Sequence, residues 1–147
     1  MIIVRDPVEA ALALPRTYGI DDIPIIIQDR RFDAQNQLVF NGLGVGESGN
    51  TILVNGTVQP FVEVGAGVVR LRVLNGSNSR VYQLGLDNGG SFYQIGSDGG
   101  LLSAPVQLTR LKIAPGERAE LLVDFGNATG QTRTLMSYSS ELVRGEP

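Results

Sequence analysis

The 147-residue chain contains no histidine, no cysteine and no tryptophan, and its only lysine is Lys112. Without His or Cys there can be no Ser-His-Asp triad, no Cys nucleophile, no zinc finger, no disulfide and no blue-copper His₂Cys site. Any chemistry housed here must use carboxylates, Arg, Lys, Ser, Thr or Tyr, because the usual general base near neutral pH is missing. With no Trp, and with four Tyr and five Phe dispersed along the chain, there is no aromatic platform for stacking bases or sugars. Basic runs are also missing. Lys plus Arg is 12 against 15 Asp plus Glu, a net charge of −3, which gives no electrostatic case for nucleic acid. No apolar stretch reaches the roughly 18–20 residues that cross a bilayer. Met1–Arg5 lacks the cationic, apolar and cleavage regions of a signal peptide.

What is present points to β structure. The length suits one domain, able to bury about 68–70% of its unfolded surface. Pro and 19 Gly punctuate short β-branched runs. Met1–Arg5 reads as a short strand, and Asp6–Arg16, bracketed by Pro7 and Pro15, as a helical turn or linker. Ile23–Phe32 is a strong strand. Asp33–Asn50 is loop-like, with Gln37–Phe40 a short strand within it. Thr51–Val54 runs into Asn55-Gly56, a pair suited to a type I′ turn because both central positions need φ > 0. Val58–Val64 follows with a Pro60 that argues for an edge or a break. Val68–Leu74 alternates with period two, placing Val69, Leu71 and Val73 on one face and Arg70 and Arg72 on the other. Further strands are expected at Val81–Leu86, Ser91–Ser97, Val106–Ile113, Ala119–Phe125 and Thr132–Ser137. Eight to ten strands without a long helix predict an all-β antiparallel sandwich or Greek-key barrel.

No catalytic constellation emerges. Gly42–Gly49 matches neither phosphate-loop pattern and precedes no helix, so it reads as a surface loop. Asp21, Asp22, Asp29, Asp33, Asp87 and Asp98 match no calcium-loop spacing and read as turn formers. Arg30-Arg31 and the Arg70/Arg72 pair read as a solvated or interface face.

Five segments, in order, carry a resemblance. Tyr18–Asp29 (YGIDDIPIIIQD) is similar to the opening of the central domain of three-domain bacterial multicopper oxidases, the laccase-like enzymes and cuprous oxidases. Asn50–Gly56 (NTILVNG) and Leu71–Arg80 (LRVLNGSNSR) resemble two further motifs of that family. Tyr93–Leu102 (YQIGSDGGLL) with Pro105-Val106, and Ile113–Phe125 (IAPGERAELLVDF), complete the series. The resemblance implies a cupredoxin-like Greek-key fold. It further implies that residues 1–16 are the end strand of a preceding domain plus a linker, and residues 17–147 the central domain.

In that family the first and third domains hold the type 1 copper and the trinuclear cluster, and the middle domain ligates no copper. The parent enzyme couples one-electron oxidation of a phenol or metal ion to reduction of O₂ to water. The resemblance therefore implies no catalytic, cofactor or metal residue in this chain, copper in its parent, and the flanking first and third domains as partners. Met136 alone makes no metal site. Structural roles are implied for Asp21, Asp22, Asp29, Asn55, Gly56, Asn75, Gly76, Arg80, Asp98, Gly99, Gly100, Glu117 and Arg118. Arg80 is expected to anchor a loop, Asp98-Gly99-Gly100 to bring backbone where a side chain would obstruct it, and Glu117-Arg118 to pair locally or across a domain seam. Some members of the superfamily have lost their copper ligands and serve as scaffolds, for example in bacterial cell division, which is the alternative to an oxidase. A β-sandwich ligand-binding module is a third reading. Bacterial relatives are exported, placing the parent in the periplasm, the cell envelope or outside the cell. An isolated domain would expose two seams through which it can self-associate.

Overall fold

The computed structural model describes residues 3–40 and 48–142. A four-residue helix, α1 (Pro7–Ala10), precedes ten strands: β1 (Asp22–Arg30), β2 (Thr51–Val54), β3 (Thr57–Val58), β4 (Val68–Asn75), β5 (Tyr82–Leu86), β6 (Phe92–Ser97), β7 (Gly100–Leu108), β8 (Leu111–Ile113), β9 (Arg118–Asp124) and β10 (Leu135–Ser137). Seven form one sheet in the order β3-β2-β1-β4-β9-β6-β7, and three form another in the order β10-β5-β8.

Alternation in the strands builds the core between the sheets. Ile23 and Ile27 of β1, Val69, Leu71 and Val73 of β4, and Leu121 and Val123 of β9 meet Tyr82, Leu84, Leu86, Leu111 and Ile113 of the smaller sheet. Val73 is wholly buried. The sandwich is all-β, as the strand pattern predicts, but it is not wholly antiparallel. β1 and β4 run parallel, with Ile23 opposite Leu71 and Ile25 opposite Val73. The connection between them is long enough to include the β2–β3 hairpin. At that hairpin Asn55 and Gly56 take φ of 51° and 82°, the left-handed pair a type I′ turn requires.

Several element boundaries depart from the sequence reading, each for a local reason. Ile3–Asp6 form no strand; the Arg5 and Asp6 side chains instead serve Asp22 and the start of α1. The strand expected at Val58–Val64 stops at Val58, since Gln59 turns to φ 47° and Pro60 has no N–H to donate. Val106–Ile113 divides into the end of β7 and all of β8, which lie in different sheets. The short strand expected at Gln37–Phe40 is reduced to a single bridge between Phe32 and Leu38. Most of the glycine-rich Gly42–Gly49 lies outside the described residues.

Gly49 is where backbone approach is closest. A Cβ there would lie 2.4 Å from the Arg30 backbone nitrogen and 2.5 Å from its carbonyl carbon. Neither atom can yield without moving β1. Gly49→Ala is therefore expected to cost about 1–3 kcal/mol, the usual cost of over-packing, read as a lower urea midpoint at unchanged m-value.

Candidate functional site

The outer face of the seven-stranded sheet, read from sequence as a solvated or interface face, is buried at its centre. Arg70 is 1% exposed, Arg72 6%, Asp22 0% and Glu9 5%. Period-two alternation does put both arginines opposite the core side chains, but β1, β9 and α1 cover them. The sheet register brings the charges together: Arg72 lies opposite Glu120 on β9, and Arg70 opposite Asp22 on β1.

The hydrogen bonds follow from that register. Arg72 forks onto Asp22, with Nε donating to Oδ1 at 2.6 Å and Nη2 to Oδ2 at 3.1 Å. Its Nη1 donates to Glu120 Oε1 at 2.6 Å. Arg70 donates to Glu120 Oε2 through both Nε and Nη2, and through Nη1 to Glu9 Oε1 at 2.6 Å. Arg5 reaches Asp22 Oδ2 at 2.9 Å. Three arginines, the exposed Arg5 among them, thus face three carboxylates, so the network is neutral overall. Such bidentate, charge-assisted bonds offset the cost of removing charge from water.

The ionisation of these groups reflects the same balance. Burial pushes the Asp22 carboxyl up, but Arg72, Arg70 and Arg5 outweigh it and hold the group below its ordinary value of 3.8. Burial works against the charge of Arg70, yet Glu9 and Glu120 raise its pKa.

A second polar knot lies where β1 and β4 end. Asp29 Oδ2 accepts from Gly49 N–H at 2.6 Å and from Arg80 Nε at 2.9 Å. Arg80 Nη2 donates to the Gly49 carbonyl at 2.8 Å, so it clamps the turn before β2. Ser77 accepts from Asp29 N–H and shares a 2.8 Å bond with Tyr82 Oη. Asn75, fully buried, donates to the carbonyls of Arg80 and Ile113 and accepts from Ser77 N–H. Gly76 donates to Ile27 O at 2.7 Å; a Cβ there would sit 3.3 Å from the Ile26 side chain. Burial raises the Asp29 carboxyl, while Arg80, Ser77 and Gly49 N–H lower it further than that. Burial also pushes the Tyr82 phenol up, against the Ser77 bond.

Asp29, Asn75, Gly76 and Arg80 therefore meet in one place, and Asp22 stands in the first network. The remaining motif residues serve separate turns. Asp21 accepts from Thr17 N–H at 2.6 Å. Asn55 ties its turn to β1 through Pro24 O and Ile26 N–H, with Gly56 completing the turn. Asp98 accepts from Arg118 Nε at 2.6 Å, an exposed pair between residues 20 apart, and Glu117 accepts from Ala114 N–H at 2.6 Å. Two expectations need correction. Asp22 and Asp29 are not turn formers but buried ion-pair partners, because each faces an arginine across the sheet or its end. Gly99 and Gly100 have open space where a Cβ would lie, so nothing obstructs there; Gly100 is needed for its φ of 109°. Sequence reasoning missed Glu9, Arg70, Arg72 and Glu120 as a site. The one available signal was two arginines alternating within a strand whose other residues are apolar up to Leu74.

Copper, which the family resemblance implies for the parent, is not served by these side chains. The chain has no imidazole or thiolate, and its buried carboxylates are bound to arginines. Among the described residues no three of the acidic side chains converge as a metal site. The donor set does not fit copper.

Two sheets with this register, a polar rather than metal-binding interior edge and a Greek-key order define a cupredoxin-like domain. Its fold matches that of multicopper oxidases: the 2F4 variant of McoA from Aquifex aeolicus, at TM-score 0.79 and 46% identity over 84% of this chain and 28% of that one, and a laccase from Pediococcus acidilactici, at TM-score 0.85 and 42% identity over 90% of this chain and 29% of that one. In sequence it is 52% identical over 124 residues to the cell division protein FtsP of Sodalis glossinidius, covering 84% of this chain and 26% of that protein. The chain thus spans about a quarter of the length of the curated relatives it matches. No protein-family model matches it.

Stability should respond to acid in a defined direction. The depressed pKa of Asp22 and Asp29 means their contribution is whole above the unfolded-state value of 3.8 and is lost as pH falls through the lower folded values. A pH series of denaturant midpoints is expected to drop below about pH 4 and to drop less steeply in Asp29→Asn. At neutral pH Asp22→Ala, which takes the fork from Arg72 and leaves the network one carboxylate short, is expected to cost about 3–5 kcal/mol.

Proposed function

We propose that the chain is a copper-free, cupredoxin-like domain of a multicopper-oxidase-like cell-division protein, in which it spaces and orients neighbouring domains. The observation that carries this reading is the 52% identity to FtsP in a chain with neither His nor Cys. The polar networks support it, since the buried ion pairs among the described residues join strands, clamp the turn before β2 and hold residues 3–16 to the sheet. In this reading residues 1–16 connect to a preceding domain and residues 17–147 form the middle one. The partners are the flanking domains of the same parent, and the location is the bacterial cell envelope. No helix among the described residues is long and apolar enough to cross a membrane.

The 46% identity to a multicopper oxidase favours a second reading, in which this is the copper-free middle domain of an active oxidase. That parent would oxidise a phenol or metal ion one electron at a time and reduce O₂ to water. Exposed apolar side chains such as Tyr18 and Ile20, at 64% and 65%, suit seams with neighbours in either parent. An open groove of about 420 Å³ lined by Ile3, Tyr18, Pro24, Ile26 and Asn55 lies on the same side.

The intact parent protein separates the readings. For the cell-division protein, purified parent is expected to hold no stoichiometric copper and to take up no O₂ with phenols, and deletion of its gene to lengthen cells. Stoichiometric copper with phenol-dependent O₂ uptake would establish the oxidase instead.

A further inference from the structure

Residues 3–16 are attached to the sandwich in an unusual way. In residues 3–13 the only buried side chain is charged, Glu9. Three apolar residues of α1 and its flanks point the other way, with Val4 79%, Val8 74% and Leu12 44% exposed, while Ile3, Leu14 and Pro15 are half-buried. The segment's backbone hydrogen bonds are all local, such as Ala10 N–H to Asp6 O at 2.9 Å and Leu12 N–H to Glu9 O at 3.1 Å. Asp6 caps the start of α1 through Glu9 N–H, and Arg16 closes its end by donating to the carbonyls of Glu9, Ala10 and Leu12. The segment is therefore self-contained. Its polar attachment to the sheet is two side-chain pairs, Glu9–Arg70 and Arg5–Asp22.

Each pair has a substitute on both sides. Were the segment to leave, Arg70 would keep its two bonds to Glu120, and Asp22 would keep the Arg72 fork. The sheet face would remain neutral, with two arginines and two carboxylates. The departing segment would also be neutral, because Arg5 and Glu9 are spaced i, i+4 and already lie 3.9 Å apart. The apolar surface uncovered would be that under the half-buried Ile3, Leu14 and Pro15, and water would solvate the charges released. An element fastened by apolar burial has no such inexpensive way off its base.

We infer that residues 3–16 form a releasable strap, latched over the outer sheet face by Glu9–Arg70 and Arg5–Asp22, which opens as a unit at Leu14–Thr17 while the sandwich stays folded. Opening uncovers the Arg70–Glu120–Arg72–Asp22 face and frees the strap to change direction. The strap is a property of this chain and stands whichever parent carries it.

Amide hydrogen exchange of the full chain at neutral pH tests the strap, comparing wild type with Glu9→Ala. The Ala10–Leu12 amides are expected to exchange about tenfold faster in the variant, the effect of one lost charge-assisted hydrogen bond. The Val69–Val73 and Ala119–Val123 amides are expected to be unchanged. No acceleration at Ala10–Leu12 would show that Glu9 is not the latch. Acceleration in strap and sheet together, or a variant that does not fold, would show that the strap belongs to the cooperative core. Either result overturns the proposal. Glu9→Gln, which keeps a hydrogen bond to Arg70 but not the charge, is expected to fall between wild type and alanine.

Discussion

Two arginines inside a sheet face must be neutralised, and much of the surrounding structure is arranged around that need. Arg70 and Arg72 are fixed on β4 by the alternation that puts Val69, Leu71 and Val73 into the core. Once fixed, their guanidiniums demand carboxylates on both neighbouring strands. Asp22 on β1 and Glu120 on β9 answer from opposite sides, so the network runs across three adjacent strands of the sheet. Register is then strongly specified. A one-residue slip of β1 or β9 would send its carboxylate to the core face and leave the two arginines short of one carboxylate. The parallel β1–β4 pairing and the antiparallel β4–β9 pairing are held by the same charges.

The second knot does comparable work at the strand ends, with one ion pair, Asp29–Arg80, among neutral side chains in place of a charge lattice. Asn75 has no solvent contact, yet its side chain satisfies two carbonyls and one N–H, so a turn that would leave backbone groups stranded is closed internally. Arg80 and Asp29 extend that closure to Gly49. At the far side of the molecule Arg110 stacks 3.5 Å over the Tyr138 ring and pairs with Glu141, fastening the last described turn to the smaller sheet. Polar clasps thus hold the start of the described chain, its middle and its end, while apolar packing holds the two sheets together.

What could be read from sequence follows the range of the interaction. The Asn55-Gly56 turn, strand β2 and the apolar face of β4 depend on neighbours a few residues away, and all are visible in the pattern. The environment of Arg70 and Arg72 is not. Period two says that both side chains lie opposite the core, but not what lies over that opposite face, and the covering Glu9 is 61 residues distant. The division at Thr109-Arg110 was hidden for a related reason: hydropathy continues through Val106–Ile113 although the chain changes sheets there. Glycine roles were legible in kind and mistaken in cause at Gly100, where dihedral freedom, not crowding, explains the residue. The fold resemblance rested on ordered motifs, and several of those motif residues prove to be the ones whose side chains close turns.

The strand order β3-β2-β1-β4-β9-β6-β7 also has a kinetic consequence. Its central ladder joins β4 to β9, and Arg72 finds Glu120 across 48 residues of chain. Closing such a loop is entropically costly, so this pairing forms late relative to the β2–β3 and β6–β7 hairpins. Until it does, both arginines lack Glu120 and the core lacks Leu121 and Val123 of β9. Desolvation of the charges and completion of the core are therefore one event, and it cannot occur during synthesis until β9 has emerged.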